Sequence, residues 1–266
     1  HDVGAAGVVH MISGFFALGI LINLGPRVGR FNQDGSANDL LGHSVPMTIA
    51  GLMIIIIGFF GFLGACLIYP APMAGSTADA GWLTIYGGPA TLSSFAFNTL
   101  MSFGGGIIGA YFITKDPFWM MSGALAGIFC AAAGLDLWYP GTAFALGFLG
   151  GVVIPYSHKM ITSWGIDDAV GAVSVHGTCG LIGVLAVGVL LGGYPAVGEG
   201  EPISFIGQLV GAIAMGLGGF IPGYVVSWIL KKCGILRTSD KVQEVGVDAE
   251  VPVPAYPESM QSRDYS

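Results

Sequence analysis

Two histidines are the residues whose type and position could do chemistry in this otherwise apolar sequence. His10 and His176 lie deep within hydrophobic stretches, and no Lys, Arg, Asp or Glu lies well inside any such stretch. A neutral imidazole has one ring nitrogen that donates a hydrogen bond and one that accepts. If the two rings meet, they offer polar positions to a small, weakly polar molecule that both donates and accepts hydrogen bonds. The alternative role for each histidine is a hydrogen bond that joins two helices.

Several other kinds of chemistry are excluded by the same survey. A retinal Schiff base needs a buried lysine amine, and an intramembrane metalloprotease needs an H-E-x-x-H motif. Neither is present in the hydrophobic stretches. No C-x-x-C pair occurs among the four cysteines, which are expected to be small buried hydrophobic residues. We therefore expect no enzyme activity, no metal and no cofactor, and nothing in the sequence indicates nucleic-acid binding.

Each histidine stands in the same short frame, V-H-x-x-x-G. The first frame runs from Val9 to Gly14 and the second from Val175 to Gly180. If the two segments run in opposite directions through a membrane, the match is typical of the inverted repeats found in transporters. With so few matching positions, a chance match stays open.

The elements that must position these histidines are seven apolar stretches. The chain is 53% hydrophobic and 9% charged, against roughly 25% charged in soluble domains. Most stretches approach the ~20 residues that a helix needs to cross a bilayer, and their apolar runs are continuous, unlike the alternating pattern of a barrel strand. The sequence thus predicts an all-α, polytopic membrane helix bundle with seven transmembrane helices. The stretches are 3–24, 45–69, 89–114, 118–134, 140–157, 171–193 and 203–231, of which the fourth and fifth are short and predicted to be tilted or extended at their ends.

Positive charge predicts the orientation of this bundle. All nine Lys and Arg residues fall in alternate gaps between the stretches or past the last one, and such residues stay on the cytoplasmic side. We expect the N-terminus outside, a bundle over 1–231, and a cytoplasmic tail over 232–266 in a plasma or inner membrane. The residues are Arg27 and Arg30 after the first stretch, Lys115 after the third, Lys159 after the fifth, and Lys231, Lys232, Arg237, Lys241 and Arg263 at and past the end of the seventh.

Two further clusters have structural and functional interpretations. The aromatics of 58–62 are expected to pack helices, although an aromatic ring at a pore mouth also attracts a cation. Asp167 and Asp168 precede the sixth stretch and are predicted to cap the N-terminus of its helix. From these boundaries His10 and His176 differ in depth by roughly 12 Å, a gap that tilt or an earlier helix start could close.

Taken together, the motifs resemble the ammonium transporter/Rhesus protein family. The resemblance covers nearly the whole chain, from the fifth to the eleventh helix of the family pattern. The segments that carry it are 2–10 (DVGAAGVVH), 25–30 (GPRVGR), 43–46 (HSVP), 58–62 (GFFGF), 97–99 (FNT) and 167–180 (DDAVGAVSVHGTCG).

The resemblance implies a fold and an activity. Members usually have eleven helices, assemble as homotrimers, and carry one pore per subunit between two inverted five-helix halves. By motif match, His10 and His176 look like the twin histidines that line that pore. The implied substrate is ammonium, which loses a proton and passes the histidines as ammonia. In relatives the tail binds a nitrogen-regulatory protein, but segment 251–258 departs from the usual pattern.

An outer site is implied in the same way. Phe62 looks like a phenylalanine of the external gate, and Phe59 and Cys66 occupy neighbouring positions of the site that recruits ammonium. Asp2 looks like the acid that supports this site structurally.

Departures from the family pattern are concentrated near these positions. Phe59 stands where bacterial members usually have tryptophan, and Leu63 and Cys66 replace an asparagine and a serine. Segment 131–136 lacks the usual Thr-Pro-Ala, and Gly171 replaces an acid.

The family's first four helices have no counterpart in this sequence. Their absence leaves one flank of the predicted pore open, and two alternatives to conduction of ammonia therefore stay open. One is a structural or sensory membrane subunit that no longer conducts, and the other is a channel for another small neutral solute such as CO₂ or methylamine.

Overall fold

Seven helices long and apolar enough to cross a membrane make up the computed structural model, which describes residues 1–40, 42, 44–67, 79–85, 87–194 and 201–246. This confirms the predicted helical membrane bundle. The helices are α1 (Ala6–Leu24), α2 (Val45–Ala65), α3 (Leu92–Thr114), α4 (Pro117–Gly134), α5 (Pro140–Ser163), α6 (Val173–Leu190) and α7 (Phe205–Lys232), followed by a short α8 (Asp240–Val245).

The helices begin where the sequence supplies caps. The Ser44 side chain accepts a hydrogen bond from the Met47 amide at the start of α2. At the start of α3, Thr91 and Ser94 each accept a hydrogen bond from the other's backbone N–H, which is a capping box. Such caps satisfy amides that the first helical turn leaves free.

Two features differ from the sequence analysis. Helix α5 ends at Ser163, six residues past the apolar stretch that ended at 157, so the expected extension of this short stretch is confirmed and its length is the new finding. The region between α2 and α3 contains two short antiparallel strands, β1 (Asp79–Leu83) and β2 (Pro89–Thr91), which the sequence analysis did not predict. Both changes lie at the ends of the bundle.

Helix α4 forms the centre of the bundle. Every residue from Ala124 to Gly134 is buried, and α4 packs on α2, α3, α5 and α6. Small residues permit this close packing: a Cβ at Gly123 would lie 2.6 Å from the Gly106 carbonyl oxygen, and one at Gly150 would lie 2.6 Å from the Ala126 carbonyl oxygen. Helix α4 therefore serves as the common surface against which the other helices are placed.

Candidate functional site

The two histidines predicted from the sequence lie side by side. Their Nδ1 atoms are 3.3 Å apart and their ring centroids 5.5 Å apart. The expected depth difference of roughly 12 Å is wrong, because α1 and α6 run in opposite directions with their N-terminal turns against each other. One ring donates a hydrogen to the other, and the tautomers decide which. Among the described residues, Nε2 of His10 is buried without a hydrogen-bond partner.

Matching backbone conformations carry the two rings. His10 lies in a six-residue π-helical turn at the start of α1 (Ala6–Met11), and His176 lies in one of the same length at the start of α6 (Val173–Thr178). A wider π-helical turn changes the direction of side chains relative to the rest of the helix. The repeated sequence frame therefore coincides with a repeated conformation in antiparallel orientation.

An aspartate eight residues before each histidine caps its turn. One carboxylate oxygen of Asp2 accepts hydrogen bonds from the amides of residues 7 and 8, each at 2.9 Å. Asp168 accepts from the amides of residues 172 and 173 at 2.8 and 2.9 Å. A carboxylate at a helix N-terminus satisfies free donors and complements the helix dipole. The repeat is thus longer than the V-H-x-x-x-G frame that the sequence suggested.

The chain turns sharply three residues after each aspartate. Ala5 has φ +62° and Gly171 has φ +73°, both in the left-handed region that favours glycine. Gly171 was noted as a departure where the family has an acid. Its conformation and the nearby Trp119 ring, 3.0 Å from where a Cβ would lie, explain why glycine fits here.

Glycines bring the two turns into contact. A Cβ at Gly180 would lie 2.5 Å from the Ala6 carbonyl oxygen and 2.8 Å from the Met11 amide nitrogen. A Cβ at Gly14 would overlap the backbone of Gly177. These are the glycines of the two V-H-x-x-x-G frames, so each frame supplies both an imidazole and the small residue that lets the partner helix approach.

Three phenylalanines surround the histidine pair. Ring centroids of Phe59 and Phe62 lie 5.7 and 6.0 Å from that of His10. Phe129 of α4 stacks on His10 at 3.6 Å and 22°, and its centroid is 4.7 Å from that of His176. The sequence analysis did not identify Phe129, although its large ring stands out within a run of small residues in α4.

Asp2 and Cys66 lie close enough for the charge of Asp2 to act on the thiol. The pKa of Asp2 is raised, because burial outweighs the amide hydrogen bonds to its carboxylate. Burial and the charge of Asp2 raise the pKa of the Cys66 thiol, which donates a hydrogen bond to the Phe62 carbonyl oxygen at 3.6 Å. Cys66 is therefore a neutral thiol near the aromatic cluster and not a charged ligand.

Asp167 has a different role from the predicted cap. Only Asp168 caps α6; Asp167 accepts hydrogen bonds from Nε and Nη2 of Arg27 at 2.7 and 2.9 Å, and Nε of Arg30 lies 3.3 Å from it. Burial alone would raise the pKa of Asp167, but hydrogen bonds and charge from Arg27 lower it. Asp167 thereby joins the end of α1 to the segment that leads into α6.

A third histidine lies within the spans. Because α5 is longer than predicted, His158 is inside it, half-buried, with its ring 4.8 Å from that of Trp119. It lines a cavity of about 380 Å³ with Arg27, Arg30 and Asp39. His10 and His176 are therefore not the only ionisable residues inside the helices, but they are the two whose rings meet.

In the part of the chain that the structure describes, no three His, Cys, Asp or Glu side chains are arranged to hold a metal ion.

Comparisons with known proteins match nearly the whole chain. The sequence pattern of the Ammonium Transporter Family matches residues 1–251. Ammonium transporter Amt2 of Methanocaldococcus jannaschii is 34% identical over 261 residues, which cover 97% of this chain and 57% of that protein. Ammonium transporter Amt2 of Archaeoglobus fulgidus is 31% identical over 274 residues, covering 96% and 55%. The chain thus spans somewhat more than half the length of these relatives.

Solved structures share the fold. A structure named Sensor Amt Protein matches with a TM-score of 0.78 and 27% identity, covering 95% of this chain and 60% of that one. Candida albicans Mep2 matches with a TM-score of 0.70 and 20% identity, covering 90% and 53%. Rh50 of Nitrosomonas europaea matches with a TM-score of 0.68 and 18% identity, covering 98% and 63%. The last two are similar in fold alone.

Proposed function

The chain belongs to the ammonium transporter family, and on that premise we propose that it takes part in moving ammonia derived from ammonium across a membrane, past His10 and His176. The observation that carries the proposal is the contact of the two imidazoles, 3.3 Å between Nδ1 atoms, inside helices that are mostly apolar. Buried ionisable residues in membrane helices are costly and mark function.

The chemistry of the pair suits ammonia better than ammonium. A neutral imidazole pair has a donor and an acceptor but no negative charge that could balance a cation. Ammonia both donates and accepts hydrogen bonds, so it can bind to the donor and to the acceptor of the imidazole pair. An ammonium ion therefore transfers one proton to solvent water before it reaches the histidines, and ammonia passes them.

Recruitment takes place at the aromatic cluster. The ring centroids of Phe59 and Phe62 lie 5.7 and 6.0 Å from that of His10, and a ring face attracts a cation by ~0.5–2 kcal/mol. Cys66 lies beside Phe62 as a neutral hydrogen-bonding group. Asp2 acts structurally, since one of its oxygens caps the turn that carries His10.

The proposal also covers the orientation of the bundle in the membrane and its assembly with other subunits. Arg27, Arg30 and Arg237 gather at one end of the bundle, where Arg237 donates to the carbonyl oxygens of Leu24 and Gly25. Positive residues favour the cytoplasmic side, which supports an external N-terminus and a cytoplasmic tail in a plasma or inner membrane. We also propose that the protein forms a homotrimer and that its tail binds a nitrogen-regulatory partner. Segment 251–258, on which the latter depends, lies outside the described residues.

A sensory subunit that does not conduct is the second candidate. The match to the structure named Sensor Amt Protein, at 27% identity, favours it. The stacking of Phe129 on His10 is compatible with it, because a ring that covers one imidazole face narrows the space beside the pair.

One experiment separates the two candidates. The intact purified assembly is placed in liposomes, and methylammonium uptake and the change of internal pH on adding ammonium are followed. Conduction predicts uptake well above that of protein-free liposomes. Uptake equal to the protein-free level, together with measurable ammonium binding, would exclude conduction and support the sensory role.

A further inference from the structure

We infer that Phe129 is a positioning residue that holds the two imidazoles in their paired arrangement, a role that deepens the proposed function and rests on it. Among the described aromatic residues, only Phe129 has ring contacts with both histidines, at 3.6 and 4.7 Å. It is fully buried. A stacked aromatic pair favours its own geometry by an amount that exceeds simple burial.

The stretch of α4 that begins at Phe129 contacts the segments that carry both histidines. A Cβ at Gly183 of α6 would overlap the Phe129 carbonyl oxygen, so α6 packs directly on this residue. Three and four residues further along α4, the carbonyl oxygens of Ala132 and Ala133 accept hydrogen bonds from the amides of Gly4 and Val3, just before α1, at 2.9 and 3.1 Å. Both histidine-bearing helices therefore take their position from the same stretch of α4.

The ring occupies a defined space between the histidines and α2. Its centroid is 5.6 Å from that of Phe59, which also contacts His10. The interplanar angle of 22° with His10 and a separation near van der Waals contact leave no room for a molecule between those two rings. Ammonia must then pass on the opposite side of the imidazoles, and Phe129 acts as the wall that keeps the rings from turning away from that side.

The matched control is Phe103. Like Phe129 it is buried and contacts Phe59, at 6.2 Å between centroids, but no ring contact joins it to either histidine in the described structure. Phe129→Leu and Phe103→Leu remove similar rings from the same core. A merely structural role predicts the same consequences for both.

The experiment compares these variants by two measurements on the full protein. Nitrogen-15 spectra of labelled histidine report the tautomers and the hydrogen bond of the pair, and liposome flux reports conduction. Phe129→Leu is expected to change the resonances of both His10 and His176. It is also expected to lower the flux roughly tenfold, because the loss of one aromatic contact can change the ratio of paired to unpaired imidazoles by about that factor. Phe103→Leu is expected to lower thermal stability while leaving both measurements as in the wild type. Equal spectra and flux in the two variants would overturn the inference.

A second substitution tests whether Phe59 and Phe129 fill one space beside the histidines. Phe59→Trp enlarges the neighbouring ring, so in the Phe129→Leu background it is expected to fill the gap and recover much of the wild-type histidine spectrum. In the wild-type background the same change is expected to displace Phe129 and shift both histidine resonances. Additive effects in the two backgrounds contradict the inference.

If Phe129→Leu does not fold, Phe59→Trp alone decides, because unchanged histidine resonances then contradict the inference. A wild-type protein without flux would end the transport proposal, yet the spectra would still test the role of Phe129.

Discussion

Replacing Gly180 by alanine should separate the two histidines without touching either. The new Cβ would lie 2.5 Å from the Ala6 carbonyl oxygen, whereas ordinary contacts begin at 3.4 Å. The turns of α1 and α6 must therefore move apart by about 0.9 Å, since backbone atoms on both sides cannot yield. The Nδ1 separation of 3.3 Å would rise to roughly 4.2 Å, beyond hydrogen-bond reach. We expect a loss of ~1–3 kcal/mol in stability and a fall in flux of roughly tenfold.

Two alanine variants are the controls for this prediction. A Cβ at Gly177, in the π-helical turn that carries His176, would lie 3.4 Å from its nearest neighbour, and one at Gly218 of α7 would meet nothing within 4 Å. Both variants should retain wild-type flux and unfolding temperature within the error of the measurement. The assays are ammonium flux in liposomes and thermal unfolding in detergent. If Gly180→Ala behaves like Gly177→Ala, the account of how glycine sets the distance between the rings is wrong.

Further predictions concern the ion pair of Asp167 and the two turns. Asp167→Asn should lower stability by about 2 kcal/mol, because charged hydrogen bonds from Arg27 are lost, as measured by chemical unfolding. The lowered pKa of Asp167 means that its stabilising effect is present above the ordinary carboxyl pKa of ~3.9 and is lost as pH falls through the lowered value. The unfolding temperature of the wild type should therefore drop more steeply below about pH 4 than that of Asp167→Asn, and parallel curves would contradict this assignment. Ala5→Gly should raise stability by about 0.5 kcal/mol, because it relieves a left-handed alanine. Gly171→Ala should lower it by about 1–2 kcal/mol, and thermal unfolding that moves both variants in the same direction would refute the conformational argument.

The general architecture could be predicted from the sequence because it depends on local properties. The length of the apolar stretches and the placement of Lys and Arg in alternate gaps between them are sufficient to predict seven helices, because the bilayer imposes a fixed span. His10 and His176 could be singled out as candidates because ionisable groups are rare in such helices. What composition could not provide was the exact end of α5, because the polar residues His158 and Lys159 interrupt the apolar run although the helix continues to Ser163.

The geometry of the site depended on contacts between distant segments. The roughly 12 Å depth difference came from treating α1 and α6 as helices that each start at a membrane surface, whereas their first turns meet inside the bundle. Asp167 looked like a cap next to Asp168, but Arg27, 140 residues away in sequence, binds it. Phe129 was missed because an aromatic in a membrane helix is ordinarily packing, and nothing in its local sequence reveals that it lies against two imidazoles.

The most direct test of the account is ammonium flux through the protein with both histidines replaced. His10→Leu/His176→Leu removes the paired polar groups while keeping the volume apolar, and His158→Leu removes an imidazole of the same bundle that lies outside the pair. At equal incorporation into liposomes, the double variant is expected to lose at least about 90% of wild-type flux, while His158→Leu keeps it. Wild-type flux in the double variant would show that ammonia does not travel past these rings.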